Sequence, residues 1–170
     1  IIDGRLDEPE WQRAQTSSNW YTYTPTYGEP CPYNTDVAIL YDNDALYIGG
    51  WLNDPHPDSL MKEIAVRDYG QTKSEVFLVW LNPFNDGQNL LQFETSIANV
   101  QKDGKVTNNA SNLNWDAIYQ SATSIDDKGW YVEMRIPFKS LYFPDKPIQE
   151  WGINFLRWVP REMSTFVRSI

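Results

Sequence analysis

The chain has 170 residues and a formal net charge of −9; 41% of its residues are hydrophobic and 15% aromatic. That length suits one domain, read as residues 1–170, with a real core and no need for staples. The acidic balance excludes nucleic acid as a partner, because that binding rests on Lys and Arg neutralising phosphates. The lone Cys31 excludes an internal disulfide, and no apolar run is long enough to span a bilayer.

Ile1 to Trp11 opens the chain, which starts on Ile rather than Met and reads as a piece of a longer protein. Asp3-Gly4 is a turn, and Asp7 is placed to cap a short helix starting near Pro9. Leu6 and Trp11 would pin that helix to the domain. Residues 16–34 are polar, aromatic and proline-spaced, which predicts a loop or edge segment. Trp20, Tyr21, Tyr23, Tyr27 and Tyr33 either form a surface patch or close one end of a sheet.

The chain is organised around the next stretch. Thr35–Tyr41 and Ala45–Trp51 are β-rich runs separated by Asp42-Asn43-Asp44, short polar residues that suit a turn. Gly49-Gly50 marks a bulge or a close approach, and Asp54-Pro55-His56-Pro57-Asp58 stops the ladder. Pro57–Val66 predicts one or two helical turns. Glu75–Leu81 is apolar on both faces, hence a central strand covered on both sides. In Leu91–Ile97 the residues Leu91, Phe93, Thr95 and Ile97 face one way, Gln92, Glu94 and Ser96 the other.

Val100–Leu113 is long and polar, with a turn signal at Lys102-Asp103-Gly104-Lys105 and a glycosylation sequon at Asn109-Ala110-Ser111. Trp115–Ser121 reads as a strand. Asp126–Gly129 reads as a hairpin turn two residues longer than the tightest kind. Trp130–Ile136 alternates strictly: Trp130, Val132, Met134 and Ile136 face the core, Tyr131, Glu133 and Arg135 face out. In Trp151–Trp158 the residues Ile153 and Phe155 face in, Asn154 and Trp158 out; Thr165–Ile170 pairs as an edge. Seven or more short strands with turns between them predict an all-β antiparallel sandwich with few short helices.

The only histidine, His56, has no nucleophile placed near it, and zinc needs more His and Cys than exist here. Nothing satisfies the geometry of a catalytic site, so the reading is a non-enzyme. Haem would need His56 with Met61, Met134 or Met163, and packing explains Met61 and Met134 more simply, so none is expected. Calcium takes several oxygen ligands; Asp42, Asp44, Asp54 and Asp58 flank the hairpin, with Asp3 and Asp7 upstream, although all are at home in turns.

Five motifs in order carry a resemblance: IDGRLDEPEW, TDVAILYDNDALYIGGWLNDP, SEVFLVWLNPFNDG, GWYVEMRIPFKSLYFP and WGINFLRWVPRE. Over nearly its whole length the chain resembles the family 9 carbohydrate-binding module, a jelly-roll sandwich of the DOMON-like group. It most resembles the version at the N-terminus of bacterial proteins with an outer-membrane-barrel-like C-terminal half. The resemblance implies a glycan partner held between aromatic rings over a polar concave sheet, structural calcium, and a periplasmic, outer-membrane-associated or extracellular location. Where the family has its first clamp tryptophan this chain has Tyr69-Gly70. Where it has a basic and amide pair this chain has Gln92 and Glu94, and its acid at the end of the central strand is Asn82 here. The candidate ligand-binding set is Tyr69, Gln92, Glu94, Tyr131, Glu133, Arg135, Asn154 and Trp158, on the expectation that the strands carrying these groups lie close together. The alternative function is an interaction domain of an outer-membrane protein without sugar binding.

Overall fold

The structure is a computed structural model that describes residues 1–108 and 110–170; Asn109, and with it the sequon, lies outside the described residues. It is an all-β, jelly-roll-like antiparallel sandwich. Among the described residues the strands are β1 (Thr16–Ser17), β2 (Tyr21–Thr24), β3 (Thr35–Tyr41), β4 (Ala45–Asn53), β5 (Val76–Asn82) and β6 (Asn89–Ser96). They continue with β7 (Gln101–Thr107), β8 (Ala110–Asn112), β9 (Gln120–Asp126), β10 (Gly129–Pro137), β11 (Gly152–Val159) and β12 (Ser164–Ser169). One sheet has the order β1-β3-β4-β10-β9 and the other β2-β12-β11-β5-β6-β7-β8. One short helix, α1 (Pro9–Arg13), precedes them, and no helix of the described residues is long and apolar enough to cross a membrane.

The organising hairpin forms as its sequence dictates. Asp42 Oδ1 accepts the backbone N–H groups of Asp44 and Ala45, both at 2.8 Å, which closes the turn. From there β3 and β4 pair without a break from Tyr41↔Leu46 to Thr35↔Leu52. Gly49 is therefore a close approach and not a bulge: a Cβ there would lie 3.0 Å from the Leu6 side chain and 3.1 Å from Trp11. Leu6, Trp11 and Ala38 make a small second core under α1, on the outside of this sheet. Helix α1 starts after Glu8, with no side-chain cap; Asp7 is not its cap.

The main core lies between the sheets. Trp130, Val132, Met134 and Ile136 from β10 meet Phe77, Val79 and Leu81 from β5, along with Phe93 and Phe155. Trp20 and Tyr33 are buried with them, while Tyr21, Tyr23 and Tyr27 are exposed, so the aromatic segment divides between closing an end and facing solvent.

Several local expectations yield to tertiary context. Pro57–Val66 contains a single 3-10 turn, Pro57–Ser59. Lys102-Asp103-Gly104-Lys105 is not a turn but the middle of β7, in register with β6 from Thr95↔Gln101 to Asn89↔Thr107. Asp103 tolerates its fully buried place because the Arg67 guanidinium and the Ala117 N–H satisfy its carboxylate. The strand expected at Trp115–Ser121 begins only at Gln120, and Asp127-Lys128 alone link β9 to β10, the tightest hairpin. Finally, β12 is not an edge, since β2 pairs along its outer side.

Candidate functional site

Alternation decides what β5, β6 and β11 present outward. Phe77, Val79 and Leu81 point into the sandwich, so Val76, Leu78 and Trp80 point away from it. Register then builds rungs across the outer face of the seven-stranded sheet. Trp158 lies beside Val76, Leu156 beside Leu78 and then Glu94, and Asn154 beside Trp80 and then Gln92. Above the first two rungs opens a groove of about 870 Å³. Its walls are Leu78, Glu94, Leu156 and Trp158 from the sheet, Tyr69 to Lys73 from the preceding loop, and Pro160 and Met163 after β11.

The loop over this groove is fastened at two points. Arg67 donates to Gln101 Oε1 (2.6 Å), to the carbonyl of Ala117 (3.0 Å) and to Asp103, and the Asp68 N–H donates to the Gln101 carbonyl (3.1 Å). These bonds staple the loop to β7. Further along, Glu63 Oε2 accepts the Lys73 N–H (2.9 Å) and the Thr72 hydroxyl (3.2 Å). Tyr69 is thereby held over the sheet, where its hydroxyl donates to Glu94 Oε1 at 2.5 Å. Glu94 Oε2 accepts from Gln92 Nε2 (3.3 Å), and Gln92 Oε1 accepts from Trp80 Nε1 (3.4 Å). A string of polarised side chains thus runs Trp80, Gln92, Glu94, Tyr69.

Burial pushes the Glu94 carboxyl up, against the Tyr69 hydroxyl, Lys102 and Gln92, which hold it down. Burial and then the Glu94 charge push the Tyr69 phenol well above its usual range, so Tyr69 stays a donor. The Lys102 ammonium lies 5.3 Å from the Tyr69 ring centroid, a cation–π contact that engages one face of the ring.

Three of the eight residues predicted for ligand binding, Tyr69, Glu94 and Trp158, line this groove, and Gln92 and Asn154 lie on the adjacent rung of the same face. The other three do not join them. Tyr131, Glu133 and Arg135 lie on β10, in the opposite sheet, facing away from the groove. Their own contacts account for them. Glu133 accepts from the N–H groups of Asp3 (2.9 Å) and Gly4 (3.2 Å) and from Trp11 Nε1 (3.3 Å), anchoring the N-terminal motif. Tyr131 donates to Asp126 (2.9 Å), and Arg135 donates to the Tyr47 hydroxyl (3.3 Å). The sequence reading treated outward-facing strand residues as one face, whereas a sandwich has two. Trp80 was missed, although the alternation of β5 placed it opposite Phe77.

Calcium does not fit the four aspartates expected to hold it. Asp42 uses both oxygens locally, on the turn N–H groups and the Tyr47 hydroxyl (2.8 Å). Asp54 is buried, with Oδ1 on the His56 N–H (2.8 Å) and Oδ2 on Arg161 Nη2 (2.6 Å). Asp44 and Asp58 are exposed, and neither joins them in a cluster among the described residues. The carboxylates that do converge, within 4.8 Å, are those of Asp68, Asp103 and Asp116. Arg67 already supplies a positive charge there, pairing with both Asp68 (3.5 Å) and Asp103.

The profile of the family described as "Carbohydrate family 9 binding domain-like" matches residues 2–158. No protein with a curated description matches. Among solved structures, a family 9 carbohydrate-binding module from Caldicellulosiruptor kristjanssonii in complex with cellotriose superposes with a TM-score of 0.67 at 17% identity, covering 98% of this chain and 78% of that one. The same organism's module in complex with glucose gives 0.66 at 17% identity, covering 98% and 80%. A crystal structure from Bacteroides uniformis gives 0.70 at 12% identity, covering 97% and 82%. At these identities the likeness is one of fold.

Proposed function

The chain belongs to the family 9 carbohydrate-binding-like domains, and on that premise we propose that it binds a glycan, without catalysis, in the groove on the outer face of its seven-stranded sheet. The observation that carries this reading is the meeting of Trp158, Tyr69 and the buried Glu94 carboxylate in one groove. A sugar presents apolar C–H faces and many hydroxyls. Trp158 is a flat apolar surface for the former, and Thr72, Lys73 and Glu94 are donors and acceptors for the latter. Tyr69 contributes less as a stacking ring than as the group that orients Glu94, since its hydroxyl is committed and one face meets Lys102.

Trp158→Ala is the direct test. Trp158 is half-buried and outside the main core, so the variant should keep the wild-type melting temperature within a few degrees. Its retention in affinity electrophoresis through soluble polysaccharides should disappear, a loss of at least about tenfold in affinity. A folded wild-type domain retained by no polysaccharide would leave the interaction-domain reading in its place.

A further inference from the structure

The rung next to the groove carries chemistry that the groove itself does not use. Asn154, Trp80 and Gln92 sit side by side on β11, β5 and β6, all half-buried and all on the outer face. Trp80 is thus a large ring on a sheet surface, flanked on either side by an amide that both donates and accepts. Its indole N–H is directed at Gln92 Oε1, so the polar edge of the ring is engaged sideways, within the sheet surface. The same hydrogen-bond string ties Gln92 to Glu94 on the wall of the groove, which makes the two places one continuous surface.

Spacing sets what can occupy both. Trp80 is four residues along β5 from Val76, the neighbour of Trp158, so the two rings lie about 13 Å apart along the strands and one strand apart across them. That distance exceeds the span of a single pyranose ring. Between them lies the Leu156–Leu78–Glu94 rung, two apolar side chains and one acid. Ring, apolar strip with an acceptor, and ring with two amides is a surface for linked sugars lying along β5.

Building on the sugar-binding reading above, we infer that Trp80, Gln92 and Asn154 form a further sugar subsite, so that the domain takes a run of linked pyranose units along β5 rather than a single terminal residue.

Titration calorimetry with ladders from monosaccharide to hexasaccharide (cello-, xylo-, manno- and chito-oligosaccharides) tests this. In whichever ladder binds, wild-type affinity should climb beyond the disaccharide. Trp80→Ala should lower affinity for the tetrasaccharide by about tenfold, with a deficit that shrinks steadily toward the monosaccharide. Trp80→Phe, which keeps a ring, should recover most of the length dependence. Should Trp80→Ala fail to fold, Gln92→Ala and Asn154→Ala carry the same expectation. Affinity that is flat from monosaccharide to hexasaccharide overturns the subsite while leaving the groove, as does a Trp80→Ala deficit that is absent or equal at every length. Binding in no ladder overturns the sugar reading itself, and the subsite with it.

Discussion

Phe77→Ala is expected to lower the stability of the domain by about 3–5 kcal/mol, measured as a shift of the urea midpoint at unchanged m-value. Phe77 is fully buried near the start of β5, a strand flanked by β11 and β6. Its ring stacks on Phe155 with centroids 5.8 Å apart. Across the sandwich it reaches the other sheet, where its Cε2 would lie 3.5 Å from a Cβ at Gly50. Both sheets therefore line the space the ring fills, and each is held by a continuous hydrogen-bonded ladder that cannot collapse far into a cavity. A loss below about 1 kcal/mol would mean that the ring does not bridge the sheets.

Where the amino-acid pattern was strong, it was enough. The alternation of Trp130 to Ile136 and of Leu91 to Ile97 assigned every inward residue to the core, and all are buried. The Asp42–Asp44 turn, held by its own side chain, was legible for the same reason: its cause is local. Elsewhere the cause is distant. Nothing within Lys102–Lys105 announces a strand, because what makes Asp103 acceptable there is Arg67, far away in sequence. Gly104 reads as a turn residue, yet a Cβ there would lie 2.9 Å from the Leu113 side chain. It is small because β7 is crowded on its outer face.

The site was legible in half-measures for a related reason. Alternation tells which residues leave the core, and it put Gln92, Glu94, Asn154 and Trp158 on the outward faces of their own strands, pooled with Tyr131, Glu133 and Arg135. It is silent on which sheet a strand joins. Glu133 and Gln92 look alike in their own strands, and only strand order separates an anchor for the N-terminal motif from a residue beside the groove. Tyr69 entered through the family resemblance. Its position over Glu94 depends on the Arg67 staple to β7, which no local pattern encodes.

Arg157→Ala should be as damaging as Phe77→Ala, by a different route and with a pH signature. Arg157 points inward from β11, is fully buried, and donates to Thr35 Oγ1 at 2.6 Å. Its guanidinium lies 4.7 Å from the Tyr33 ring centroid and its Nη2 3.8 Å from Asp54 Oδ2. The fully buried Glu75 is the other acid of this cluster, with Arg161 Nη1 3.6 Å from its Oε1. Two arginines thus balance two buried acids, and removing one leaves an uncompensated charge, which costs about 3–5 kcal/mol.

Protonation of Glu75 sets how that loss varies with pH. Burial pushes its carboxyl up, Arg157 and Arg161 pull it down and Asp54 pushes it up again, and the balance raises it from 4.5 to about 7. The native state therefore binds more protons than the unfolded chain between pH 4.5 and about 7. Its contribution is present in full below the lower value and lost as pH rises through the upper one, of order 3 kcal/mol in all. Glu75→Gln should flatten this slope. Without Arg157 the Glu75 carboxyl rises still higher, so Arg157→Ala should cost more at pH 8 than at pH 5, where a proton already neutralises the acid. The double variant Arg157→Met with Glu75→Gln should regain most of the loss, since a neutral pair leaves only Asp54 with Arg161. Equal losses at the two pH values would show that Arg157 acts through packing against Tyr33 and not through the charge of Glu75.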